Sequence, residues 1–134
     1  MFCREHIAQL SANQQAFVSR GARLASIGLG DMNYARLFRE ETAITFPLLV
    51  DERHEAYDAA QLQRASVLHL LRKDNAIARK RAREAGYRQH RFGKNPFQLG
   101  GSFVFGPGNV DHYTHINKTF SDNAPIPELL AALP

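Results

Sequence analysis

Apolar and polar positions follow two different periods along this chain, and the switches between them mark its elements. From Cys3 to Arg20 a helix is predicted, with Ile7, Leu10, Phe17 and Val18 near one face and Gly21 as a C-terminal stop. The run Arg23–Leu29 is short and mostly apolar, the pattern of a buried strand. Asp31 stands as an N-cap before Tyr34, Leu37 and Phe38, whose i, i+3, i+4 spacing predicts a second helix. Phe46–Val50 reads as a second strand ending at Asp51, and Pro47 removes a ladder donor, which places it at a sheet edge. Strand, helix and strand within about thirty residues form a βαβ crossover with parallel strands.

Glu52 to Gln89 is helical in pieces, with Ala56, Tyr57, Ala60, Leu68 and Leu71 as packing positions. Ser102–Phe105 and Val110–Ile116 predict two strands around the turn chemistry of Gly106-Pro107-Gly108-Asn109, hence an antiparallel hairpin. The chain closes with Ile126, Leu129, Leu130 and Leu133 at helical spacing, introduced by Pro125 and Pro127. The order α-β-α-β-α-β-β-α predicts an α/β fold with a mixed sheet. Residues 1–134 fit one domain, with no repeats or linkers.

Composition adds limits. Hydrophobic residues make up 44% and charged residues 22%, as in soluble globular domains. No apolar run approaches the ~20 residues of a membrane span, and the first residues lack the apolar stretch of a secretory signal. Cys3 is the single cysteine, so no intramolecular disulfide forms, and a reducing, cytoplasmic setting is expected. The net charge of +4 is concentrated: residues 72–94 carry nine Lys and Arg against Asp74 and Glu84. That segment reads as a solvated helix face, adding little to folding. The alternative is a non-enzymatic module binding nucleic acid or another polyanion, with Tyr87 and Phe92 stacking on bases.

Candidate chemistry centres on Cys3 at a helix start. Unpaired N–H groups and the positive end of the dipole stabilise a thiolate there. Arg4 adds positive charge, and His6, one turn on, is placed to orient a proton or pair with the thiolate. The plainer alternatives are an inert half-buried thiol and a solvated histidine. A Cys3/His6 metal pair lacks further ligands, since His112 and His115 point to opposite faces of a strand. Gly28-Leu29-Gly30 lacks the third glycine of a dinucleotide motif, Asn33 standing in its place, and reads as a tight turn. Gly100-Gly101 marks a close backbone approach beside the first helix.

Four segments in order resemble the peroxiredoxin-like AhpC/TSA antioxidant family of the thioredoxin-fold superfamily. Phe2-Cys3-Arg4-Glu5-His6-Ile7-Ala8-Gln9-Leu10 is similar to its redox-motif helix. Phe46-Pro47-Leu48-Leu49-Val50-Asp51 resembles its FPLLxD edge strand, followed by a short helix with a tyrosine, here Tyr57. Gln98-Leu99-Gly100-Gly101-Ser102-Phe103-Val104 resembles its QLGGxFV strand, and Pro107-Gly108-Asn109-Val110 sits at its hairpin turn. The resemblance implies a thioredoxin-like mixed sheet with flanking helices, its opening central strand missing. Cys3 then corresponds to the second cysteine of a C-x-x-C motif, with Met1 and Phe2 in the two middle positions. The chain is expected either to continue upstream or to borrow a strand, for instance in a homodimer. The implied reaction is thiol-dependent reduction of a peroxide or disulfide by Cys3, recycled by glutathione, a thioredoxin or a second copy, without metal, flavin or nucleotide. Peroxiredoxins carry an arginine at the start of the later strand, where this chain has Gly100 or Gly101.

Overall fold

A computed structural model describes residues 2–66, 73–86 and 97–134. Helix α1 (Phe2–Ala12) is followed by a short α2 (Gln14–Val18) instead of running on to Arg20. The break is Asn13, whose side-chain amide donates to the Gln9 carbonyl at 2.8 Å and so competes with the helical ladder. Gly21, with φ 76°, then reverses the chain while Ala22 N–H bonds back to Phe17 O, the stop that its position predicted.

Strand β1 (Ser26–Gly28) is shorter than the apolar run that contains it. Asp31 caps α3 (Met32–Thr42) by accepting the Tyr34 N–H at 2.9 Å. Ala43 closes that helix in the left-handed conformation, and the next residues, Ile44 and Phe46, turn into the core. Strand β2 (Leu48–Val50) pairs parallel with β1, Ser26 opposite Leu48 and Gly28 opposite Val50. Pro47 precedes the strand, and its carbonyl accepts the Ser26 N–H at 2.9 Å. The crossover is the one that the strand-helix-strand spacing required.

Short α4 (Glu55–Ala59) and α5 (Lys73–Glu84) come next. Two backbone bonds, Ala65 N to Phe97 O and Leu99 N to Gln63 O, tie the stretch after α4 to the approach of the hairpin. Strands β3 (Gly101–Gly106) and β4 (Val110–Ile116) form that hairpin, turning through Gly108 and Asn109 at positive φ. Val104 faces Tyr113 while Phe105 faces Asp111, so His112 is an extra, bulged residue. Helix α6 (Ile126–Ala131) closes the chain, and the Tyr113 hydroxyl donates to Glu128 at 2.6 Å, pinning β4 to it.

Among the described residues the strands form two separate two-stranded ladders, β1–β2 and β3–β4. Side chains join the halves instead. Phe17, Val104, Ala124 and Leu129 form one buried cluster, and Ile7, Ile44 and Phe46 form another. Leu10 and Leu24 pack against both.

The basic segment departs from its expected role at one point. Residue 72 and residues 87–94 lie outside the described residues. In α5, however, Ala82 is fully buried and Arg81 binds Glu5 of α1, Nε to Oε1 at 3.2 Å and Nη2 to Oε2 at 3.3 Å. Glu5 is only 8% exposed, and the guanidinium offsets the cost of burying its carboxyl group. The Lys80–Glu84 pair, by contrast, is open to water on both sides.

Two stability comparisons follow, both read by denaturant unfolding. Phe17→Ala empties a position that is 3% exposed and is expected to cost about 3–5 kcal/mol, while Met32→Ala, at 70% exposed, should stay within about 0.5 kcal/mol. Arg81→Gln strands the Glu5 carboxylate and should cost about 1 kcal/mol, water access to the guanidinium limiting the loss; Lys80→Gln should be near neutral.

Candidate active site around Cys3

Cys3 lies in the first turn of α1 and is exposed. On a helix, residues i, i+4 and i+7 share a face, so Cys3 is in line with Ile7 and Leu10. Ile7 is buried in a cluster with Ile44 and Phe46, against which Leu10 and Leu24 also pack. Cys3 is the exposed end of an otherwise buried stripe.

Its two neighbours point elsewhere. The Arg4 guanidinium is ion-paired with Glu41 of α3 and lies 5.4 Å from the centroid of the Phe38 ring. Its charge thus fastens α1 to α3. His6 faces the hairpin, with Nε2 3.4 Å from the Ser102 hydroxyl. Burial lowers the His6 pKa, and His115, across the hairpin, lowers it further; Gln9 and Glu5 oppose the shift without cancelling it. Nδ1 of His6 is buried without a geometrically satisfied partner. The ring belongs to the interface between α1 and β3, half-buried and not simply solvated.

The structure adds residues that sequence reasoning did not place at the site. Asp51, 8% exposed at the end of β2, accepts the Glu55 N–H at 2.9 Å and the Tyr57 N–H at 3.0 Å, so the strand's last residue starts α4. Tyr57 is thereby aimed back at β1, and its hydroxyl donates to the Ile27 carbonyl at 3.1 Å. Ser26 N–H and Gly28 C=O bond to β2, so by alternation the backbone groups of Ile27 point to the other edge of β1, which pairs with no strand among the described residues. Burial, then the nearby Cys3, then Asp51 push the Tyr57 phenol up to about 12, which keeps it protonated. Tyr57 is thus held between the end of β2 and the backbone of β1. The aspartate at a strand end, followed six residues later by a tyrosine in a helix, was the available signal.

The glycine pair has a different neighbour from the one expected. A Cβ on Gly101 would come within 2.8 Å of Leu62 Cδ2 and 2.9 Å of the His115 carbonyl, so the close approach is to Leu62 and β4, not to α1. Gly100 has room: its Cβ would be 3.7 Å from the nearest atom, Asn117 Nδ2. Gly30, with φ 125° and packed on Tyr34, makes the tight turn expected of Gly28-Leu29-Gly30. His115 is engaged by Asp122, at 3.0 Å to the carbonyl and 3.2 Å to the carboxylate, while His112 is exposed on the bulge. Among the described residues no three His, Cys, Asp or Glu side chains converge as metal ligands. No helix there is long and apolar enough to cross a membrane.

A family model described as AhpC/TSA antioxidant enzyme matches residues 9–119, a span that begins after Cys3, Arg4 and His6. The chain is also 28% identical over 141 residues to the thioredoxin-like protein AAED1, chloroplastic, of Arabidopsis thaliana. That alignment takes in 98% of this chain and 56% of the relative, so the chain spans about half the relative's length. No solved structure matches it.

A pH response follows from the geometry of His6. Its folded-state pKa lies below the unfolded value of 6.5, so the unfolded chain binds the proton more readily. The corresponding stability is present above that value and is lost as the pH falls through it. Between about pH 7.5 and about pH 5.5 the melting temperature of the native chain should fall more than that of His6→Gln. Equal falls would show that His6 is not the responsible group.

Proposed function

Because the chain belongs to the AhpC/TSA antioxidant enzyme family, with that family's thioredoxin-like α/β fold, we propose that it is a thiol oxidoreductase that reduces a peroxide through Cys3. The observation that carries this reading is the exposure of Cys3 at the start of α1, on the stripe whose other members are packed. A helix N-terminus favours the thiolate, the reactive form. The thiolate attacks the terminal oxygen of a hydroperoxide, the O–O bond breaks, and Cys3 becomes a sulfenic acid while an alkoxide or hydroxide leaves and takes a proton from water. A small or protein thiol, glutathione or a thioredoxin, then condenses with the sulfenic acid, releasing water and forming a mixed disulfide. A second thiol resolves that disulfide and returns Cys3 to its reduced form. Residues 1–134 hold a single cysteine, so within them no second thiol resolves that disulfide; a second copy of the chain is one source of it. A reducing, cytoplasmic setting belongs to the same proposal, since it supplies such thiols.

The family's carry-over is incomplete at two places. Glycine stands at the start of β3 where peroxiredoxins have arginine, and Arg4 is committed to Glu41. A modest peroxide rate is therefore part of the proposal.

The reading is checked by treating the reduced protein with hydrogen peroxide and trapping sulfenic acid with a dimedone-type reagent. One adduct at Cys3, absent from Cys3→Ser, is the expected result; peroxide turnover should then need added glutathione or thioredoxin. An untouched thiol after peroxide, in a chain whose melting is unchanged, would leave a thioredoxin-fold protein without this activity.

A further inference from the structure

We propose that the seam between α1 and the hairpin is a proton-operated latch, closed while His6 is neutral against Ser102 and released in weakly acidic solution when His6 and His115 both carry a proton. The latch is independent of the chemistry of Cys3. His6 is half-buried, with Nε2 3.4 Å from the Ser102 hydroxyl. Ser102 stands directly opposite His115 in the antiparallel ladder. Opposed residues leave a sheet on one face, their Cβ atoms about 4.5–5.5 Å apart. The face that brings Ser102 to His6 therefore carries His115 as well. His115 is held in turn by Asp122, its Nε2 3.0 Å from the carbonyl and 3.2 Å from the carboxylate.

The groups around the His6 ring match a charge on it poorly. From α1 come neutral Gln9 and Glu5, whose carboxylate is bound to Arg81 of α5; Arg4 is paired with Glu41. β3 contributes the neutral Ser102 hydroxyl and β4 contributes His115. Asp122 is taken by His115 and by the Lys118 N–H at 2.8 Å. A proton added to His115 thus meets a carboxylate, whereas one added to His6 meets a second imidazole. A neutral ring has one N–H; an imidazolium has two, and both must donate. Nε2 then has the Ser102 oxygen to accept from it, but Nδ1, among the described residues, is buried without a geometrically satisfied partner. Burial, and after it His115, lowers the His6 pKa, against the weaker pull of Gln9 and Glu5. By linkage the docked seam is favoured above the ordinary value of 6.5 and weakens as the pH falls through and below it. The seam gives way before the fold does: both histidines lie outside the two buried clusters, and α1 keeps its ion pairs to α3 and α5.

The test is amide hydrogen exchange on the full chain at about pH 7.5 and about pH 5.5, corrected for the intrinsic pH dependence of exchange, with both imidazoles followed by NMR. The expected result is a loss of protection in α1 of about fivefold, the worth of one neutral hydrogen bond, with α3 changed by less than about twofold. That loss should follow the uptake of the His6 proton, vanish in His6→Gln and shrink in His115→Gln. Equal protection in α1 at both pH values overturns the latch, whether or not His6 has taken up its proton. An equal loss in α1 and α3 overturns it too, since that is unfolding of the whole chain. A loss that persists in His6→Gln assigns the response to another group, and one undiminished in His115→Gln removes the second imidazole; either overturns the pair. Should His6→Gln fail to fold, the native titration and His115→Gln still decide. None of these outcomes bears on whether Cys3 reacts with peroxide.

Discussion

The packing of Leu10 and Leu24 against both buried clusters is what this structure turns on. The parallel and antiparallel ladders share no strand pairing among the described residues, so backbone hydrogen bonds hold each half internally but not to the other. Leu10 and Leu24 are the side chains common to both buried clusters. Apolar burial is non-directional, and it joins the halves without fixing their register as a ladder would. The burden of orientation then falls on α1, which lies against both.

Four consecutive residues of α1 discharge that burden towards four different neighbours. Arg4 holds Glu41 of α3, Glu5 holds Arg81 of α5, His6 meets Ser102 of β3, and Ile7 fills the cluster of Ile44 and Phe46. Successive helical residues are about 100° apart, so such a run surveys the whole circumference of the helix. A thiol in the first turn of a helix held all the way round has a defined position. The polar partners are there for placement more than for energy, since Arg81 and Glu41 remain well open to water.

Much of this was legible in the chain of residues. Periodicity located both βαβ strands, the hairpin and the last helix, because a switch from period 3.6 to alternation or an apolar run is a strong local signal. Asp31, Gly21 and the Gly108-Asn109 turn announced themselves through the backbone chemistry that they alone satisfy. The break at Asn13 was missed because a polar side chain competing for a carbonyl leaves no mark on the hydrophobic pattern. The neighbours of Arg4, Glu5 and His6 were equally hidden: each is a contact across 37 to 96 residues, set by how the helices pack. Arg81 looked like one more charge in a basic run, and only the buried carboxylate opposite distinguishes it. The Tyr57–Ile27 bond lies on an edge of β1 that pairs with no strand among the described residues, which local pattern does not report.

That bond also bears on how the molecule meets copies of itself. A short strand with an open edge is a template on which other chains can add strands, the route to aggregated sheets. β1 is three residues long, and by alternation only Ile27 directs its backbone groups outward. Among the described residues, the Ile27 carbonyl on that edge is already occupied by a phenol from the same chain. An aromatic side chain folded back from α4 thus shields the parallel ladder from indiscriminate pairing, and a strand that did add there would first have to displace it.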